Sequence, residues 1–113
     1  MPYLQAGSLP DSVVVLEYKY VPNFWQRREP LHEGHLFLAK EMIAQGTCLA
    51  GGPVVPHVAH AYDGSAGEDE PTGAFFWFTT IEAAQEFYKR DPYQHADLVA
   101  SHRIYDWNVA VSK

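Results

Sequence analysis

The apolar positions of this 113-residue chain switch between the period of a strand and the period of a helix. Ser12 to Tyr20 (SVVVLEYKY) is short and rich in β-branched and aromatic residues, which predicts a strand that Pro22 and Asn23 break. Glu29 to Gln45 then follows a helical period. With residues set ~100° apart, Leu31, Leu38 and Met42 fall on one line, Ala39 and Ile43 lie beside it, and Glu33 and Lys40 fall opposite. His35 lies within this apolar arc and so points inward, and His32 sits at its margin. Pro30 suits a first helical position and Gly46 the residue just past the end. Gly34 costs the helix about 1 kcal/mol relative to Ala and allows close approach of another backbone.

Thr47 to Ala50 reads as a second strand, halted by Gly51-Gly52-Pro53. Val54 to Thr72 carries Gly64, Gly67, Pro71 and the acidic run Glu68-Asp69-Glu70, and reads as a long loop. Gly73 to Thr79 (GAFFWFT) is the third strand. Thr80 suits the N-cap of a helix over Ile81 to Arg90, in which Ile81, Ala84 and Tyr88 share a face that Phe87 extends. Asp91-Pro92 stops this helix, Gln94 to Ala100 reads as a helical turn, and His102 to Val111 is the last strand.

The resulting β-α-β-β-α-β order predicts an α+β fold of ferredoxin-like type, an antiparallel sheet with two helices on one face. The face without helices should alternate to polar, yet in the third strand Phe75 and Trp77 point one way while Ala74, Phe76 and Phe78 point the other. Both faces are apolar, so a second layer is required, and a symmetric partner packed sheet to sheet is the simplest one. A homodimer is therefore expected. Residues 1–11, with Pro2, Gly7 and Pro10 and no periodicity, read as a flexible N-terminal arm, and residues 12–113 as one domain.

Composition narrows the function. With 47% hydrophobic and 19% charged residues the chain is globular. A net charge of −6 argues against nucleic acid and against an anionic membrane surface, both of which call for clustered Lys and Arg. No stretch is long enough to span a membrane, and the N-terminus lacks the basic and apolar regions of a signal peptide. The single cysteine, Cys48, sits in an apolar run and fits a buried thiol in a reducing compartment, so a cytoplasmic location is expected.

The candidate chemistry rests on His35 and Asp91. A histidine acting as a base near neutral pH needs a partner that sets its tautomer, and a carboxylate does so. Asp91 also has a plain structural use, as a turn carboxylate before Pro92. The Arg28 guanidinium suits either an ion pair or an anionic substrate. Tyr93 can line a pocket or pack, and Gly52, which reads as a strand end beside Pro53, joins Arg28 and Tyr93 as a candidate substrate contact. His32 reads as a helix-margin residue. His57, His60 and Asp63 have the residue types of a metal site but stand in a loop without the further ligands that zinc catalysis requires, so no metal is expected. The chain has no phosphate-binding glycine loop, no nucleophilic Ser or Cys arrangement and no dinucleotide fingerprint, so no cofactor is expected.

Several of these segments, taken in order, carry a resemblance. They are Tyr18-Lys19-Tyr20-Val21-Pro22, Arg27-Arg28-Glu29-Pro30, His35-Leu36, Gly46 through Gly51-Gly52, Asp91-Pro92-Tyr93, Leu98-Val99 and Trp107. Over roughly residues 13 to 111 the chain resembles the YciI-like (YCII-related) family of small α+β proteins. The resemblance implies a dimeric α+β barrel of ferredoxin-like protomers, with a His–Asp pair, here His35 and Asp91, in a pocket. The activity it implies is dehydrochlorination of a chlorinated hydroxyhydroquinone. The chain departs from the family in having His32 where many relatives have Arg, Asp97 where relatives often have Gly, and a long segment from Val54 to Thr72. The expected function is a cofactor-independent enzyme that uses His35 and Asp91 for proton transfer on a small cyclic or aromatic substrate, as a lyase or isomerase. The alternative is a non-catalytic dimeric module that binds a small molecule in the same pocket.

Overall fold

The computed structural model describes residues 10–57 and 70–112. Its elements are strand β1 (Ser12–Tyr20), helix α1 (Phe24–Arg27), a 3-10 turn (Glu29–Leu31), helix α2 (His32–Ala44), strand β2 (Cys48–Val54), strand β3 (Gly73–Phe78), helix α3 (Ile81–Arg90), helix α4 (Pro92–His95) and strand β4 (Val99–Asn108). The strands form one sheet in the order β2-β3-β1-β4, and every pairing is antiparallel. The expected arm lies almost wholly outside the described residues, as do His60, Asp63 and most of the long segment between β2 and β3.

The core lies between one sheet face and the helices. β1 contributes Val14, Leu16 and Tyr18 to it, and β3 contributes Ala74, Phe76 and Phe78, which is the period-2 alternation of a pleated strand. Leu38 and Met42 of α2 and Ala83, Ala84 and Phe87 of α3 complete this core. The buried face of α3 is rotated from the expected one: Ile81 is 44% exposed and Tyr88 only half-buried, while Ala83 and Phe87 face the sheet. Thr80 caps α3, its Oγ1 accepting from the Ala83 N–H at 3.1 Å.

Several boundaries differ from expectation, each for a local reason. The segment before α2 is a 3-10 turn, because Pro30 has no N–H and Leu31 N–H bonds the Arg28 carbonyl three residues back at 2.9 Å. The break at Pro22-Asn23 is followed by α1, a single turn closed by Arg28 N–H on the Phe24 carbonyl at 3.0 Å, which is too short to show a period. β2 does not stop at Gly51-Gly52-Pro53 but runs through them. It pairs only with β3 at the sheet edge, where a proline costs no ladder bond. Gly51 is required in that strand, since a Cβ there would stand 2.5 Å from the Phe76 ring. The turn expected over Gln94 to Ala100 forms earlier, as α4, because Pro92 occupies its first position under an Asp91 cap. β4 accordingly begins at Val99 and ends at Asn108.

The face away from the helices is also apolar. Val13, Val15, Phe75, Trp77, Tyr105 and Trp107 occupy matching positions across β1, β3 and β4. The rings of Trp77 and Trp107 meet at 5.1 Å, and Phe75, Tyr105 and Trp107 are each more than 40% exposed. No helix among the described residues is long and apolar enough to cross a membrane.

Candidate active site

α2 and α4 approach closely at Gly34, where a Cβ would stand 3.2 Å from the Pro92 ring. The absent side chain anticipated at Gly34 thus admits the proline ring rather than another backbone. One residue along from each, His35 and Asp91 meet. His35 Nδ1 lies 2.8 Å from Asp91 Oδ1, and both residues are buried, Asp91 completely.

Asp91 is an acceptor hub. Its Oδ1 also receives the Tyr93 backbone N–H at 3.1 Å, and its Oδ2 receives the Tyr18 hydroxyl at 2.8 Å. A fully buried carboxylate needs such donors to offset its lost hydration. Burial, followed by the adjacent Asp91 charge and hydrogen bond, pushes the Tyr18 hydroxyl far above its ordinary range, so it stays a donor. A carboxylate only accepts, so His35 Nδ1 donates to Asp91, and in the neutral imidazole that tautomer leaves the lone pair on Nε2.

His35 also lines a cavity of about 410 Å³. Tyr93 stacks on the imidazole at a ring separation of 4.0 Å and a tilt of 13°. Phe76 and Phe87 meet its edges at 5.7 and 5.8 Å. Tyr20 and Phe24, stacked on each other at 3.6 Å, extend the aromatic wall. Burial pushes the Tyr20 hydroxyl well above its ordinary value, with Tyr93 and Asp91 adding to the effect. A few ionisable groups in an apolar cavity of this size fit a small-molecule site.

Of the five residues singled out from the sequence, His35, Arg28, Tyr93 and Gly52 line the cavity, and Asp91 stands behind His35. Gly52 is a mid-strand wall residue, beside which a Cβ would meet nothing within 4 Å. Arg28 is not a solvated first-turn arginine. Its side chain is 18% exposed, and its guanidinium carbon sits 3.9 Å over the Trp25 ring. Cys48 also lines the cavity, but burial pushes its thiol up to about 11, which removes the thiolate a nucleophile needs.

Three participants were not legible as such. Tyr18 shares the inward phase of β1 with Val14 and Leu16, a period-2 signal that could have marked it. His32, read as a margin residue, is half-buried and places Nδ1 2.9 Å from the Tyr93 hydroxyl. Trp25 belongs to the unpredicted α1. Burial raises the Tyr93 hydroxyl above its ordinary value, and the nearby Arg28 charge opposes the shift. Asp97 adopts φ +59°, a left-handed conformation that favours glycine and that Asp tolerates better than most residues.

Residues 12–108 match the family model described as YCII-related domain. Among solved structures, the chain is similar to 5-chloro-2-hydroxyhydroquinone dehydrochlorinase (TftG) from Burkholderia phenoliruptrix AC1100, determined in complex with 2,5-dihydroxybenzoquinone. The two share 20% identity and a TM-score of 0.64, over 85% of this chain and 93% of that one. A protein of unknown function from Nitrosomonas europaea is similar at 15% identity and a TM-score of 0.48, over 90% of this chain and 91% of that one. No curated protein matches the chain.

Proposed function

The chain belongs to the YCII-related family, and from that premise we propose that it is a cofactor-independent enzyme in which His35 is the general base. The observation that carries this reading is the 2.8 Å contact from His35 Nδ1 to Asp91 in a residue that also lines the cavity. Asp91 sets the tautomer and stabilises the imidazolium formed once Nε2 takes a proton. Tyr93 and the phenylalanine edges hold the ring in place. A small cyclic or aromatic substrate suits the aromatic wall.

Two outcomes of that proton transfer fit. In an elimination, the proton passes to Nε2, its former bonding pair becomes a new π bond, and a halide departs with the electrons of its own bond. In an isomerisation, the same proton returns to a different atom of the substrate. The dehydrochlorinase activity of the Burkholderia structure makes the first the leading candidate.

The strand order β2-β3-β1-β4, with helices over one face, supports a ferredoxin-like protomer. The apolar face built around Trp77 and Trp107 supports a homodimer closed sheet to sheet into an α+β barrel.

The test is turnover of chlorinated hydroxyhydroquinones and related cyclic substrates by the wild type and by His35→Ala. The variant should fold, as judged by circular dichroism, and lose turnover at least a hundredfold. A folded variant that retains activity refutes the assignment of the base. A second reading, a non-catalytic binding module, is favoured by Asp91 capping α4 and holding Tyr18, which gives the pair a structural use. An NMR pH titration separates the two: a base titrates and responds to ligand, whereas a structural histidine stays in one form.

A further inference from the structure

The polar groups of the cavity are not spread evenly. Arg28, His32 and the Tyr93 hydroxyl lie together at one end, and Lys40 also borders the space. No Asp or Glu lines the cavity among the described residues, and Asp91 is screened behind His35. The wall is therefore apolar and aromatic, with cationic or hydrogen-bonding groups at one end.

Arg28 brings an incompletely paired guanidinium to that end. Its Nε is buried without a hydrogen-bond partner among the described residues. A buried N–H without an acceptor is costly and rare in a native protein. Its acidic neighbour does not meet the need. Glu29 reaches Nη1 only at 3.9 Å, beyond hydrogen-bond range, and its side chain is 84% exposed. Stacking on Trp25 fixes the plane of the guanidinium, and because Nε itself is shut off from the cavity, a planar anion there would meet the fork at its Nη groups. A carboxylate is the group that fills a guanidinium fork with two parallel hydrogen bonds.

From these observations we propose that the Arg28 end of the cavity is a carboxylate subsite. The substrate class is then a one-ring monocarboxylate whose ring lies along the aromatic wall and whose acidic O–H or C–H faces His35. The proposal rests on reading this cavity as the substrate site, and it adds a requirement that proton transfer alone does not impose. The Tyr93 hydroxyl and His32 Nδ1 sit beside the fork as further hydrogen-bonding partners. Tyr93 also stacks on His35, so fork and base are within reach of one substituted ring. The cavity, about 410 Å³, has room for one substituted ring.

The experiment compares benzoate, its neutral isostere benzamide, and hydroquinone by calorimetric titration of the full chain, using wild type, Arg28→Gln and Arg28→Lys. Wild type should bind benzoate about ten- to a hundredfold more tightly than benzamide, the range expected of a charge-assisted pair of bonds. Arg28→Gln should erase that preference and leave hydroquinone binding within a few-fold. Arg28→Lys should restore only part of it, since the charge returns without the fork. The proposal is overturned if benzoate fails to bind at millimolar concentration, if wild type binds benzoate and benzamide equally, or if the preference survives in Arg28→Gln. The wild-type comparison needs no variant, so a poorly folding substitution does not remove the test. A benzoate preference that depends on Arg28, in a protein where His35→Ala changes no turnover, would keep the subsite and remove the base. Turnover that depends on His35 without any carboxylate preference would do the reverse.

Discussion

Asp91 is the residue on which the site and the fold depend together, and replacing it separates its charge from its role as an acceptor. In the folded protein it receives three hydrogen bonds, from Tyr18 at 2.8 Å, His35 at 2.8 Å and the Tyr93 backbone at 3.1 Å. Asp91→Ala leaves these three donors without that acceptor in a site with no solvent access. Each stranded buried donor costs about 1–3 kcal/mol, and such losses within one cluster are not fully additive, so about 3–6 kcal/mol is expected. That is a large share of the roughly 5–15 kcal/mol typical of a domain's stability. Asp91→Asn keeps an acceptor oxygen for His35 and the Tyr93 N–H, and turns an amide toward the Tyr18 hydroxyl, which can rotate to accept. Only the charge assistance is lost, about 1–2 kcal/mol. The assay is urea unfolding followed by the fluorescence of the three tryptophans, at one protein concentration so that association does not shift the midpoint. The expected order is wild type, then Asn, then Ala, with the last step the larger. If Asp91→Ala loses less than about 1 kcal/mol, or matches Asp91→Asn, the reasoning that three buried donors depend on this carboxylate is wrong.

Other consequences can be checked independently. At the left-handed Asp97, Val should cost about 1–2 kcal/mol in the same urea assay and Gly should be neutral or slightly stabilising; equal midpoints for Val and Gly would contradict the backbone argument. The Tyr18, Tyr20 and Cys48 protons are all held more tightly in the folded chain, and the unfolded chain releases them first as pH rises. Their contribution is therefore complete below the ordinary cysteine value of 9.0 and tyrosine value of 10.0, and is lost above them. Stability should fall through that alkaline range, with tyrosinate absorbance rising together with unfolding; a tyrosinate signal that saturates in the folded protein would count against it. Trp107→Lys on the open sheet face should convert a dimer to monomer in sedimentation velocity at micromolar concentration, and a wild-type monomer under those conditions would remove the dimer.

Much of the fold was legible because it follows from local periodicity. The β1 alternation that buries Val14, Leu16 and Tyr18 is visible in SVVVLEYKY, and the arc that turns His35 inward is visible in the spacing of Leu31, Leu38 and Met42. Short or edge elements were harder. α1 is one turn, and β2 contains two glycines and a proline that read as a stop, which an edge strand tolerates because its outer side has no partner to lose. In α3 the expected Ala84 and Phe87 are buried, but small Ala83 permits close packing and joins them, while the larger Ile81 remains at the exposed end.

The sequence by itself determined the element types, the inward direction of His35, the apolar character of both sheet faces and the residue kinds available for chemistry, since these depend on neighbours within a turn or a strand. Tertiary structure alone decided that Asp91 meets His35 across 56 residues and Tyr18 across 73. It also decided that His32 reaches the Tyr93 hydroxyl. Those pairings depend on how closely α4 can approach α2, which the missing side chain at Gly34 and the ring of Pro92 set together. No period in the chain encodes that distance, because it arises only when two separately formed elements pack against the same sheet.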